Sequence, residues 1–144
     1  MPRPQTPLIA VDVIIRLRDA PERVVLIERR NPPYGLAIPG GFVDVGERLE
    51  AAAIREAEEE TSLQVELQCL LGLYSAPDRD PRGHTVSAVY VGDASGVPEA
   101  ADDAKAIAVV DPADPALPLA FDHSLILADY RRWLATGQPA PLRF

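Results

Sequence analysis

The stretch from Arg48 to Thr61, RLEAAAIREAEEET, constrains this chain more than any other. It contains neither proline nor glycine, and Ala, Leu, Glu and Arg are strong helix formers, so the composition predicts a helix over 48–61. At ~100° per residue, Glu59 and Glu60 fall within ~60° of Glu56, while Glu58 points away. Leu49, Ala52 and Ala53 lie on that same side one or two turns earlier, with Ile54 opposite. An apolar stripe that must pack on a core therefore ends in a carboxylate cluster. Like charges at i,i+4 cost about 0.2–0.5 kcal/mol, and acids at a helix C-terminus oppose its dipole by about 0.3–1 kcal/mol. No Lys or Arg follows within the next turn. A bound divalent cation would resolve the conflict, and all-oxygen ligands suit Mg²⁺ or Mn²⁺. A solvated acidic face is the plain alternative.

The fifteen prolines divide the rest of the chain. They gather at the ends and in loops, and the tracts between them read as regular elements. Leu8 to Leu17, Arg23 to Glu28, Val65 to Tyr74, Thr85 to Val91 and Ala106 to Val110 read as strands, with Asp19 to Glu22 as a turn. Phe42-Val43 is a short extended piece bracketed by glycines. Ser124 to Ala135 reads as a second helix, capped by Asp122 or Ser124 and stopped by Gly137. Mixed strands with two helices suggest an α/β fold, an α/β/α sandwich around a mixed β-sheet. We read 1–144 as a single domain, with 1–7 and 138–144 frayed.

Upstream of the acids the pattern continues as Gly41-x5-Glu47-x7-Arg55-Glu56-x2-Glu59-Glu60. Gly40 and Gly41 let backbone pass close to a cation, so that a carbonyl can ligate it. Glu47 precedes the helix and is placed to pair with Arg55. In these residues the chain resembles the Nudix hydrolases, whose box reads G-x5-E-x7-R-E-U-x-E-E-x-G-U, with U a bulky aliphatic residue. Gly41, Glu47, Arg55, Glu56, Glu59, Glu60 and Leu63 match; Ala57 replaces a larger aliphatic, and Ser62 replaces a glycine. Val11-Asp12, Pro39 to Asp44, Arg79 to His84, Asp102 to Ala104 and Phe121 to His123 are similar to the bacterial and archaeal ADP-ribose pyrophosphatase-like members. The resemblance implies a Nudix-type α/β/α sandwich. It also implies metal ligation by Glu56, Glu60 and the Gly40 carbonyl, with Glu59 as ligand or base. Arg55 and Glu47 would orient the group, and Asp103 would be a further ligand or the base.

Other residues weigh function against ordinary roles. Arg29 ends the second strand, where the resemblance implies a phosphate-binding arginine, and Arg82 lies in a loop from which a guanidinium can clamp a diphosphate bidentately. Each could equally be a solvated surface charge. His84 is a candidate substrate contact or cap. Phe121, with Tyr34 and Tyr74, lies in or near loops where a ring could stack on a base. Asp12, among apolar strand residues, needs a partner if buried. Trp133 reads as core.

Composition excludes several classes. Hydrophobic residues are 47% and charged residues 25%, which argues against a disordered or coiled-coil chain. No apolar run reaches a membrane span, and no signal-peptide core is visible. A formal charge of -8 opposes binding to a nucleic-acid polymer. One cysteine, Cys69, allows no intrachain disulfide, and a cytoplasmic location is expected. The expected ligand is a small nucleotide. Members of the family often dimerise, so a homodimer stays open. The resemblance implies Mg²⁺-dependent hydrolysis of a nucleoside diphosphate derivative, with ADP-ribose giving AMP and ribose 5-phosphate as the leading substrate. A nucleoside triphosphate pyrophosphatase and a non-catalytic ADP-ribose-sensing domain are the alternatives.

Overall fold

The computed structural model describes residues 2–102 and 104–144, so the candidate Asp103 lies outside the described residues. The order is β1 (Leu8–Leu17), β2 (Ala20–Arg29), β3 (Leu36–Ala37), β4 (Gly40–Phe42), α1 (Leu49–Thr61), β5 (Glu66–Tyr74), β6 (Thr85–Ala94), β7 (Ala104–Val110) and α2 (His123–Thr136). All seven strands join one mixed sheet. Strands β1 and β6 run parallel over their full length, from Leu8 opposite Thr85 to Leu17 opposite Ala94. The remaining named pairs are antiparallel.

Alternation along β1 assigns its side chains to two cores. Val11, Val13 and Ile15 pack with Ala52, Ala53 and Ala57 of α1. Ile14 faces the other way and packs with Ile126, Leu127 and Tyr130 of α2. One helix covers each face of the sheet, which is the expected α/β/α sandwich. Cover on both sides also explains why Val11 to Ile15 are buried without interruption.

Three local readings needed adjustment. The turn expected at Asp19 to Glu22 is tighter, and β2 already begins at Ala20. Pro21 is tolerated there because the β1–β2 register shifts between Arg16 and Leu17, and a bulge needs no ladder hydrogen bond from proline. Asp122 precedes α2 without a side-chain capping bond, because Arg79 holds its carboxylate. The segment 138–144, expected to fray, is tied down. Ala140 N–H donates to Leu71 O (2.8 Å), and the Arg143 guanidinium donates to both Asp129 oxygens (2.8 Å each).

The site depends on a fork between β1 and β2. These strands pair only from Ile15–Val25 to Leu17–Ala20. Beyond that point, β4 takes the Ala10 to Asp12 part of β1, and β3 takes Ile27 and Glu28 of β2. The divergence opens a cleft at the end of the sheet.

Helix α1 ends at Ser62, which adopts left-handed backbone (φ 63°) and donates its N–H to Glu58 O at 2.8 Å. Glycine is the natural residue there because it carries no Cβ to clash. Ser62→Gly should stabilise the fold by about 0.5–1 kcal/mol, offset slightly by loss of the exposed Ser62 hydroxyl bond to Glu99 O. Thermal unfolding should show a rise of about 2–4 °C; an unchanged or lower midpoint would rule out strain at this cap.

Candidate active site

The cleft at the fork has a volume of about 340 Å³. Its lining comes from β1 (Asp12), β2 (Arg29), the Gly40–Gly41 strand, α1 (Glu56 and Glu60), the β5–β6 loop (Arg79, Asp80 and Arg82) and the start of α2 (Phe121 and His123).

Arg55 organises the acidic wall. It donates Nε and Nη2 to the two Glu47 oxygens (2.7 and 2.8 Å). Nη1 reaches Glu56 (2.9 Å) and Glu59 (3.1 Å), and Nη2 also meets Phe42 O at 3.2 Å. The Arg55 hydrogen bonds hold the Glu47 carboxyl down to about 2. Burial pushes the Glu56 carboxyl up, against the pull of Arg55. Glu60 is buried and accepts the Gly40 N–H at 3.1 Å. A Cβ on Gly41 would lie 2.5 Å from the Glu56 carboxylate, and one on Gly40 would lie 2.1 Å from Val11 O. Only glycine lets this strand lie so close to both Glu56 and β1. Glu56 and Glu60 thus share the cleft as the helical spacing implied, while Glu58 is exposed. Glu59 sits half exposed on Arg55 and does not line the cleft.

The same cleft also carries a cationic and aromatic group. The guanidinium carbons of Arg29 and Arg82 lie 4.8 and 5.3 Å from the Phe121 ring centroid, close enough for cation–π attraction. Three of the four candidate substrate residues therefore meet. His84 does not join them; it is exposed, and its ring bonds Ser75 O at 3.0 Å. The sequence pointed to Arg79, Asp80 and His123 only within their motifs, and to Asp122 only as a cap for α2. His123 is buried, and its Nδ1 accepts the Ile38 N–H at 3.0 Å. Burial, with Arg79 and Arg29 nearby, pushes its pKa down to about 3, so the ring is neutral.

The NUDIX domain family matches residues 6–132. This chain belongs to that family. It is 47% identical over 131 residues to the ADP-ribose pyrophosphatase of Methanocaldococcus jannaschii, covering 88% of this chain and 75% of the relative. The NUDIX domain of Shewanella oneidensis NrtR, crystallised with ADP ribose, superposes with TM-score 0.78 at 27% identity, over 90% of each chain. A bifunctional NMN adenylyltransferase/ADP ribose pyrophosphatase from Francisella tularensis, with AMP and a Mn ion, gives TM-score 0.76 at 25% identity. That match covers 88% of this chain and spans 42% of the bifunctional protein.

In this Nudix domain Asp12 forms part of the cleft floor. Its carboxylate accepts the hydroxyl of buried Ser87 on the neighbouring strand. Burial pushes its pKa up from 3.8 to about 6, against the opposing effects of Ser87 and Arg79. Between those two values the fold keeps a proton that the unfolded chain releases, so this group's contribution to stability falls as pH rises. Asp12→Asn removes that cost. With chelator present it should gain up to about 3 kcal/mol over the parent at about pH 8 and nothing at about pH 4. Urea melts at both pH values test this, and an equal difference at both would mean that Asp12 pays no ionisation cost.

Proposed function

We propose that this chain is a Mg²⁺- or Mn²⁺-dependent Nudix hydrolase that cleaves the diphosphate linkage of ADP-ribose, giving AMP and ribose 5-phosphate. The observation that carries this reading is that one cleft brings together two carboxylates held against a glycine strand and two arginines stacked on Phe121. A diphosphate is anionic, so the carboxylate wall repels it unless a cation intervenes. Among the described residues no three acidic, imidazole or thiol side chains gather into a cage. The donors offered are hard oxygens, with Glu56 and Glu60 pressed on Gly40 and Gly41, and this set fits a cation that keeps water and substrate oxygens as further ligands. Such a cation, bound by Glu56, Glu60 and the Gly40 carbonyl, would neutralise the diphosphate and acidify an attacking water.

The protein's own groups account for the rest. Arg55 fixes Glu56 and Glu59 relative to Glu47, so the acids are placed before substrate arrives. Glu59, which Arg55 holds beside Glu56, is the candidate to accept the proton of the attacking water, with Asp103 as the alternative. Arg29 and Arg82 supply N–H donors to phosphate oxygens, and Phe121 presents an apolar face beside them. The named activity of the archaeal relative supports ADP-ribose as substrate. No helix among the described residues is long and apolar enough to cross a membrane, and we place the enzyme in the cytoplasm.

Purified protein should release AMP and ribose 5-phosphate from ADP-ribose with Mg²⁺ or Mn²⁺ and fall silent in EDTA. Full turnover in chelator would overturn the mechanism, and faster pyrophosphate release from triphosphates would reassign the substrate. Tight ADP-ribose binding without turnover would make this a sensing domain. Glu56→Gln and Glu60→Gln should each lose more than ~10²-fold in kcat, about 2.7 kcal/mol of barrier, while Glu58→Gln stays within about three-fold. Arg82→Ala should raise KM by roughly 10- to 100-fold, the value of a charge-assisted hydrogen bond. Unaltered KM and kcat in that variant would make Arg82 an ordinary surface charge.

A further inference from the structure

Arg79 and Asp80 are neighbours in sequence, nearly buried and opposite in charge, yet each is paired elsewhere. Arg79 reaches the start of α2 and grips Asp122 with two parallel hydrogen bonds, Nε to Oδ2 (2.9 Å) and Nη2 to Oδ1 (2.8 Å). Asp80 turns back on its own loop. Its oxygens accept Nε (3.0 Å) and Nη2 (2.8 Å) of Arg82, and Oδ1 also accepts the Arg82 backbone N–H (2.9 Å). Two ion pairs thus leave one dipeptide in different directions.

Both end on the same stack. Asp122 directly follows Phe121, which holds left-handed backbone (φ 54°). A residue with a Cβ keeps that conformation only where its flanks are fixed. Ala120 N–H donates to Leu36 O (2.8 Å) on one side; Asp122 and the Ile38–His123 bond hold the other. The ring so placed meets the Arg82 guanidinium at 5.3 Å. Arg82 itself is about half exposed, and a long side chain there would sample many rotamers without the Asp80 carboxylate.

We propose that Arg79 and Asp80 are positioning residues that set the Arg82–Phe121 stack, and so determine how tightly the enzyme holds its anionic substrate rather than how fast it cleaves. This rests on the reading of the cleft as a diphosphate site. The ordering cost is met during folding, and binding keeps the surplus. The geometry of Arg79, and not its charge alone, is what counts. Lysine keeps the charge but offers no planar fork to the Asp122 carboxylate.

Arg79→Lys, Asp122→Asn and Asp80→Asn test this, with ADP-ribose turnover measured in Mg²⁺. KM should rise about 10- to 50-fold while kcat stays within about three-fold, the reverse of Glu56→Gln. Arg79→Lys added to an Arg82→Ala/Phe121→Leu background should raise KM less than about two-fold further, because the groups it acts through are gone. A readout free of substrate is the NMR shift of the Arg82 Hε proton. Phe121→Leu should move it, and Arg79→Lys should move it the same way. Unchanged KM, parallel loss of kcat, full additivity in the double background, or an unmoved Arg82 signal in Arg79→Lys would each overturn the proposal. Should one variant fail to fold, the near-isosteric Asp122→Asn decides. If the parent enzyme does not cleave ADP-ribose, the functional reading fails separately. Positioning is then judged by the Arg82 signal and by inorganic pyrophosphate affinity in calorimetry, where an equal Kd for parent and Arg79→Lys would reject it.

Discussion

Everything at the active end of this molecule depends on how closely the Gly40–Gly41 backbone comes to its neighbours. Strand β4 is squeezed between β1 and the last turn of α1, with Glu56 and Asp12 both inside the radius a methyl group would occupy. Pairing with β1 fixes β4 from one side, and the Gly40 N–H bond to Glu60 fixes it from the other. A larger residue at position 41 would push the Glu56 carboxylate away, and one at position 40 would push β4 off β1. Close packing thus decides how near the acids lie to the strand whose carbonyl would share a cation with them.

The clustered acids are not left to repel one another. No basic residue follows them within the next turn, but Arg55 precedes them and reaches Glu47, Glu56 and Glu59 together. Its five donors in a planar fork suit this role in a way that lysine's point charge would not. The dipole conflict at the helix end is therefore only partly relieved, and of the acids Arg55 holds, Glu56 is the one that also lines the cleft.

What could be read in advance was local in sequence. Helix α1 and the ordered spacing from Gly41 to Leu63 were legible because helical geometry converts spacing into a shared face. Pairing of Glu47 with Arg55 was legible because Glu47 stands just before the helix, where a loop acid can meet a helix cation. Asp12 was flagged as needing a partner, but Ser87 is 75 residues away, and only the parallel β1–β6 register brings it near. The Arg79–Asp122 pair spans 43 residues and is equally invisible to periodicity. His84 read as a candidate because it stands among loop residues that do enter the cleft. In the fold its ring turns to Ser75 O instead.

The tail beyond α2 has a bearing on how this protein behaves in company. Strand β5 is the outermost strand of its side of the sheet, and an outer strand displays backbone groups on which another chain's strand can build. The returning segment lays Ala140 across that border with one backbone bond, flanked by Pro139 and Pro141, which have no N–H to extend a ladder. The Arg143–Asp129–Tyr74 clasp keeps it there. A few residues with no regular structure of their own thus act as a selvedge, finishing an edge that would otherwise invite aggregation.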